Sequence, residues 1–230
     1  MDTLQTILFV APVLLFSVIA HEIAHGYAAL KQGDHTAQSL GRLSWNPLRH
    51  IDPFMTVLPL MTGIGSLGKV VLGGAKPVPV NPANYRHRRR GDIIVSLAGV
   101  TANGLIALGC TVLIALLGAV SSVAPGTSGI VGMLQAMAYY GVGLNLILIA
   151  FNLIPIPPLD GSHVMKYLLP PALSLKYQQM TRYGILVLVV LLYFGRGAIG
   201  VWMQPALYVG NALIGSVDRF IEPSAERWIR

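Results

Sequence analysis

Charge is what this sequence has least of. Only 11% of its 230 residues are charged, and nine are acidic, where a soluble domain carries about 25% charged residues. Too little charge is present to clothe an ordinary soluble enzyme. The 54% hydrophobic content excludes intrinsic disorder. Cysteine is nearly absent. Cys110 stands alone inside an apolar run, so an intrachain disulfide is impossible and four-cysteine zinc or iron–sulfur sites are excluded. There is no tandem repeat, no low-complexity tail and no insertion of PDZ size. No signal peptide is evident: the first charge is Asp2, and the apolar run from Leu4 continues past the length of a signal core.

Long apolar runs take the place of charge. The mean hydropathy is +0.64, the signature of a polytopic α-helical membrane protein. Leu4–Leu30 reads as one helix, about 40 Å long at 1.5 Å per residue, enough to cross a bilayer with tilt; Pro12 bends it locally. Gly91–Gly118 and Ile130–Ile154 are two further spans, joined by an uncharged turn. Pro155, Pro157 and Pro158 stop the second of these. Ile51–Leu72 is apolar but broken by Pro53, Pro59 and glycines, and fits either a full span or a re-entrant hairpin. Between Lys31 and Asn46 the turn formers Gly33, Asp34 and Gly41 flank Thr36–Ser44, which predicts a short strand or β-hairpin after the first helix. The last third, about residues 183–217, predicts a helical hairpin broken at Gly195–Gly197, because Arg196 is costly at mid-bilayer. The expected organisation is one integral membrane domain over 1–230, with its core in about 4–165.

Sixteen basic residues against nine acidic give a formal charge of +7. The basic residues cluster between apolar runs, above all at Arg86–Arg90. That distribution suits an anionic inner membrane face, not nucleic acid. The positive-inside rule then puts the basic segments in the cytoplasm, at the inner (plasma) membrane of the cell. The ends of the first helix and of Ile130–Ile154 both lie toward that side.

Among the acidic residues only Glu22 lies deep in an apolar helix, between His21 and His25. Ionisable groups inside a bilayer are costly and functional by default. Imidazoles at i and i+4 share one helix face, and both reach a zinc ion at about 2.1 Å. A glutamate beside the first histidine then serves as general base. This is the His-Glu-x-x-His pattern of zinc hydrolases. Catalytic zinc takes a third protein ligand. Asp160, just past the proline break and followed by Gly161, is the best candidate; the alternative is a helix-end carboxylate. Asn152 ends the preceding helix, where its amide serves either an oxyanion or an interhelical hydrogen bond. His50 with Asp52, and His163, are candidates for outer partners of the metal ligands.

These motifs, in order, resemble the site-2 protease family of intramembrane zinc metalloproteases, and specifically its small prokaryotic members without a PDZ domain. The matching stretches are His21–Gly26, Gly41–Pro53, Gly74–Pro82, Arg89–Gly99 and Asn152–Gly161, which together run across residues 15 to about 165, some two-thirds of the chain. The Ala98-Gly99-Val100-Thr101-Ala102-Asn103 stretch departs from the family by lacking a proline after the glycine. The resemblance implies a three-helix catalytic core with peripheral helices and one zinc per chain on His21, His25 and Asp160. It also implies Glu22 and Asn152 as catalytic residues, and transmembrane proteins as substrates within the lipid bilayer. An unwound substrate would pair with a strand edge at Thr36–Ser44. The competing function is an ion-coupled transporter that uses His21, Glu22 and Asp160 as a relay.

Overall fold

A computed structural model of the chain describes residues 3–50 and 76–229. The expected span or hairpin at Ile51–Leu72, and Asp52, lie outside the described residues. Nine α-helices are described: α1 (Thr3–Gln32), α2 (Thr36–Ser39), α3 (Arg88–Val123), α4 (Ser128–Asn152), α5 (Asp160–Leu168), α6 (Pro171–Gln179), α7 (Gly184–Phe194), α8 (Arg196–Val217) and α9 (Pro223–Ile229). Among the described residues, three helical stretches are long and apolar enough to cross a membrane: Ile7–Gln32, Arg88–Val123 and Pro125–Asn152. A fourth span results if Pro171–Phe194 and Arg196–Phe220, bent by 91°, count as one. The chain is a multi-pass helical membrane protein. Helix α3 starts earlier and ends later than the sequence predicts. The turn expected from Val120 is still helical to Val123, because no proline or charge stops it before Pro125.

The contacts divide the chain into two compact units, Val18–Gly99 and Met1–Ser17 with Val100–Arg230.

In the first unit, α1 ends on Gly33, whose φ of +107° is open to glycine at little cost. The Asp34 N–H bonds back to the Ala29 carbonyl at 3.0 Å and the Gly33 N–H to Leu30 at 3.0 Å, a Schellman closure. The chain then makes a helical turn, not a strand. Asp34 Oδ1 accepts from the Thr36 N–H at 3.1 Å and from its hydroxyl at 2.5 Å, which starts α2. Gly41, at φ +63°, ends it, with the Arg42 N–H on the Ala37 carbonyl at 2.9 Å. The predicted β-hairpin or strand after the first helix is therefore wrong: the described residues contain no strand, and the edge-pairing role given to Thr36–Ser44 goes with it. The threonine and serine there serve caps, which compete with extended backbone for the same donors.

Asp34 does more than start a turn. Its Oδ2 accepts the Asn81 N–H at 2.6 Å and its Oδ1 the Asn84 amide at 2.8 Å. The fully buried carboxylate thus ties the end of α1 to residues 81–84. Burial pushes this carboxyl up, but the bonds from Asn81, Thr36 and Asn84 outweigh it and hold it below its usual 3.8.

In the second unit the core is formed by Ala107 and Ile114 of α3, Ala138, Val142 and Leu146 of α4, and Val217 at the end of α8. Gly141 allows close approach: a Cβ there would meet Cys110 Sγ at 2.7 Å and Val13 at 3.4 Å. Polar side chains stitch the helices together. The buried Asn145 amide donates to Ser17 Oγ at 2.9 Å. The buried Gln135 amide donates to the Ile114 carbonyl at 2.9 Å and to Phe220 at 2.7 Å, and its oxygen accepts the Glu222 N–H at 2.9 Å. Trp202 of α8 donates its indole N–H to the Ala150 carbonyl at 2.7 Å, near the C-terminal end of α4, where carbonyls run out of intrahelical partners. Helices α7 and α8 break at Gly195.

Asp34→Asn replaces an acceptor by a donor facing donors. It is expected to destabilise the detergent-solubilised protein by about 2 kcal/mol, read as a lowered unfolding midpoint. Because the folded carboxyl titrates lower than the unfolded one, its contribution is present above the ordinary value of 3.8 and fades as pH falls through the folded value. The variant should lose that acid-side dependence; an unchanged profile contradicts the assignment.

Candidate metal centre

The site is built from one turn of α1. His21 is buried and His25 half-buried. Their i, i+4 spacing puts the rings edge to face, with centroids 4.6 Å apart and planes at 82°. The two Nε2 atoms approach to 2.9 Å. Behind His25, Nδ1 donates to the Val95 carbonyl of α3 at 2.7 Å. A carbonyl only accepts, so this bond puts the proton on Nδ1 and leaves the Nε2 lone pair facing its neighbour, the arrangement a metal-ligating imidazole requires.

Helix α3 reaches this pair only because position 99 is glycine. A Cβ at Gly99 would stand 2.5 Å from His21 Cε1, 2.6 Å from His21 Nε2 and 2.6 Å from His25 Nε2. The glycine keeps open the space beside both ligand nitrogens. Gly26, next to His25 in the chain, makes room for neighbouring side chains: a Cβ there would meet Leu43 and, at 2.9 Å, Val78.

Glu22 lies half-buried beside His21. Its Oε2 accepts the Val78 N–H at 2.7 Å. Val78 belongs to an irregular segment held by side chains from elsewhere in the same unit. The Arg42 guanidinium donates to the Lys76 carbonyl at 2.9 Å, and the Lys76 N–H bonds to the His50 carbonyl at 2.8 Å.

Asp160 is the first residue of α5, where a carboxylate suits the helix dipole. Gly161 follows for a steric reason: a Cβ there would collide with the Leu153 carbonyl and lie 2.9 Å from that of Ile154. One ligand atom each from His21, His25 and Asp160 lie within 4.8 Å of one another. Two imidazoles and a carboxylate are a donor set of catalytic zinc, and Gly99 leaves the room; the residues fit the ion.

Asn152 is the last residue of α4, half-buried, with its amide donating to the Leu148 carbonyl at 3.0 Å. His50 is buried and turns Nε2 to the Ser44 carbonyl at 2.7 Å, and His163 pairs with Lys166 at 3.5 Å. Val95, Val78 and Gly99 had no role assigned from sequence. All three lie in stretches that carry the family resemblance, Val78 in Gly74–Pro82 and Val95 and Gly99 in Arg89–Gly99.

Gly99→Val should abolish zinc retention, because its side chain occupies the space beside both Nε2 atoms, while helix content by circular dichroism stays at the parent value. Retention of one zinc by this variant would show that α3 does not wall the site.

Sequence comparison with known proteins identifies the family. The chain matches peptidase family M50 over residues 9–194. It is 36% identical over 200 residues to YwhC of Bacillus subtilis (strain 168), covering 86% of this chain and 85% of that protein. It is 31% identical over 180 residues to Rip2 of Mycolicibacterium smegmatis, covering 77% and 64%, and 30% identical over 182 residues to Rip2 of Mycobacterium tuberculosis (strain ATCC 25618 / H37Rv), covering 77% and 63%. All three carry zinc metalloprotease names. No solved structure matches the chain. The chain belongs to peptidase family M50 and is a zinc metalloprotease of the site-2 protease type.

Proposed function

We propose that this chain, acting over 1–230 as one integral membrane domain, hydrolyses peptide bonds within or next to transmembrane segments of other membrane proteins. The observation that carries this is the grouping of three ligand atoms, from His21, His25 and Asp160, within 4.8 Å in a chain with at least three apolar helices of spanning length. These residues hold one zinc ion per chain. A zinc ion held there would supply Lewis acidity toward water and the scissile carbonyl.

The chain's own residues do the rest. The Val95 carbonyl keeps His25 in the ligand tautomer. Glu22, with Oε2 engaged by Val78, uses its other oxygen to take the proton of the attacking water and pass it to the leaving amine, as a general base and then acid. Asn152 turns its amide from Leu148 toward the scissile carbonyl oxygen, where negative charge develops. A substrate helix hides its carbonyls in i to i−4 bonds, so it must unwind locally to present one.

The site works nearer the cytoplasmic side of the cell's inner (plasma) membrane. The basic runs support this, with Arg86–Arg90 ending in the first turn of α3 and the turn beyond Val123 uncharged. The partners are transmembrane substrates and the bilayer, not nucleic acid. Ion relay by the same residues draws no support from relatives that carry metalloprotease names.

In proteoliposomes with a single-span substrate, Glu22→Gln should retain about one zinc and lose cleavage by about 10²–10⁴-fold. Equal cleavage by parent and variant would remove Glu22 from its role. Asn152→Ala should lower kcat by about 10²–10³-fold with zinc content unchanged, and a parental kcat would return Asn152 to a helix-end role.

A further inference from the structure

The turn that delivers Asp160 is poor in backbone donors. Pro155, Pro157 and Pro158 have no N–H. Among its internal bonds are Ile156 N–H to Ile154 at 2.8 Å and Leu159 N–H to Ile156 at 2.9 Å. The carbonyls of its prolines therefore need partners from outside the turn, because an unmet backbone acceptor away from water is costly.

Tyr177 of α6 meets that need. Its hydroxyl donates to the Pro155 carbonyl at 2.9 Å, five residues before Asp160. The same phenol is hydrogen-bonded by the Ser162 side chain, which is buried in the first turn of α5, two residues after Asp160. With its one proton committed to Pro155, the phenol oxygen accepts from the Ser162 hydroxyl. One oxygen atom thus grips the chain on both sides of the aspartate. The contact is reinforced nearby. A Cβ at Gly184, the first residue of α7, would collide with the Pro157 carbonyl, so α7 begins directly against the same turn. The Ser174 hydroxyl ties α6 to the Lys166 carbonyl at 2.7 Å.

We infer that Tyr177 is a positioning residue for Asp160: by bridging Pro155 and Ser162 it fixes the turn that aims the carboxylate at the metal. The inference rests on the zinc reading of His21, His25 and Asp160. It assigns part of the metal site's rigidity to α6, which lies beyond all the stretches that carry the family resemblance. A carboxylate ligand whose supporting turn is free to shift binds less tightly, and loss of such an outer partner costs about 10–100-fold in metal affinity.

The test uses the full chain in detergent. Zinc affinity is measured by competition with a chelator, and the visible absorption bands are recorded after cobalt(II) replaces zinc. The proteins compared are the parent, Tyr177→Phe, Ser162→Ala and Asp160→Asn. Tyr177→Phe keeps the ring and removes only the hydroxyl. It should weaken zinc binding at least tenfold and shift the cobalt bands, with helix content unchanged. Ser162→Ala should move both readouts in the same direction by less, and it carries the test if the phenylalanine variant fails to fold. Parental affinity in both variants overturns the inference. So does weaker affinity with unchanged cobalt bands, which marks a loosened fold without a displaced ligand. A parent that binds no metal, or an Asp160→Asn protein equal to the parent, overturns the zinc reading itself and leaves Tyr177 as a loop anchor only.

Discussion

Two imidazole nitrogens held 2.9 Å apart on one helical turn are the constraint around which the rest is arranged. His25 is not free to choose its tautomer. The Val95 carbonyl orients His25 from behind, and burial confines His21. Polar groups of this kind are expensive inside an apolar helix and hold their geometry only if each finds a partner. Here α3 supplies the partner, and α3 can come close enough to supply it only at a glycine.

Glycine is used at the centre for proximity, not for flexibility. Gly99 clears the two ligand nitrogens, Gly26 admits Leu43 and Val78 beside His25, and Gly161 lets the start of α5 sit on the end of α4. None of these three has a positive φ; each is small because another group occupies the place of its side chain. In a membrane, where apolar surface alone does not drive helices together, such close backbone approach and a few interhelical hydrogen bonds supply the cohesion. Asn145 to Ser17 and Gln135 to Ile114 are bonds of that kind. Outside the spans Asp34 takes the corresponding part, joining Thr36 to residues 81–84 with two donors from each. The segment those donors pin is continuous with Val78, the donor to Glu22.

The metal centre was legible in the sequence because its chemistry is carried by residue types that apolar helices exclude. His21, Glu22 and His25 stand out against an uncharged background, and the proline break flags Asp160 and Asn152. The long helices were legible for the same reason, as uninterrupted apolar runs. The turn at Thr36–Ser39 was misread because turn formers bound a short segment that begins with threonine, a residue common in strands. Its local use here is decided by Asp34 two positions before Thr36 and by Gly41 after it, and that pattern of acceptor, hydroxyl and left-handed glycine is itself a cap signature. Val95 and Val78 lie in stretches that carry the family resemblance, but their roles could not be read from residue type. They act through the backbone, and a carbonyl or N–H carries no residue type. Tyr177 is hidden differently: a tyrosine between Lys176 and Gln178 reads as a helix-surface residue until its hydroxyl is seen on Pro155.

Zinc K-edge X-ray absorption on the purified, metal-loaded chain tests the central claim most directly. The account predicts a first shell of nitrogen and oxygen only, at about 2.0–2.1 Å, with the outer-shell scattering of two imidazoles. A shell containing sulfur, a single imidazole, or three imidazoles would contradict it.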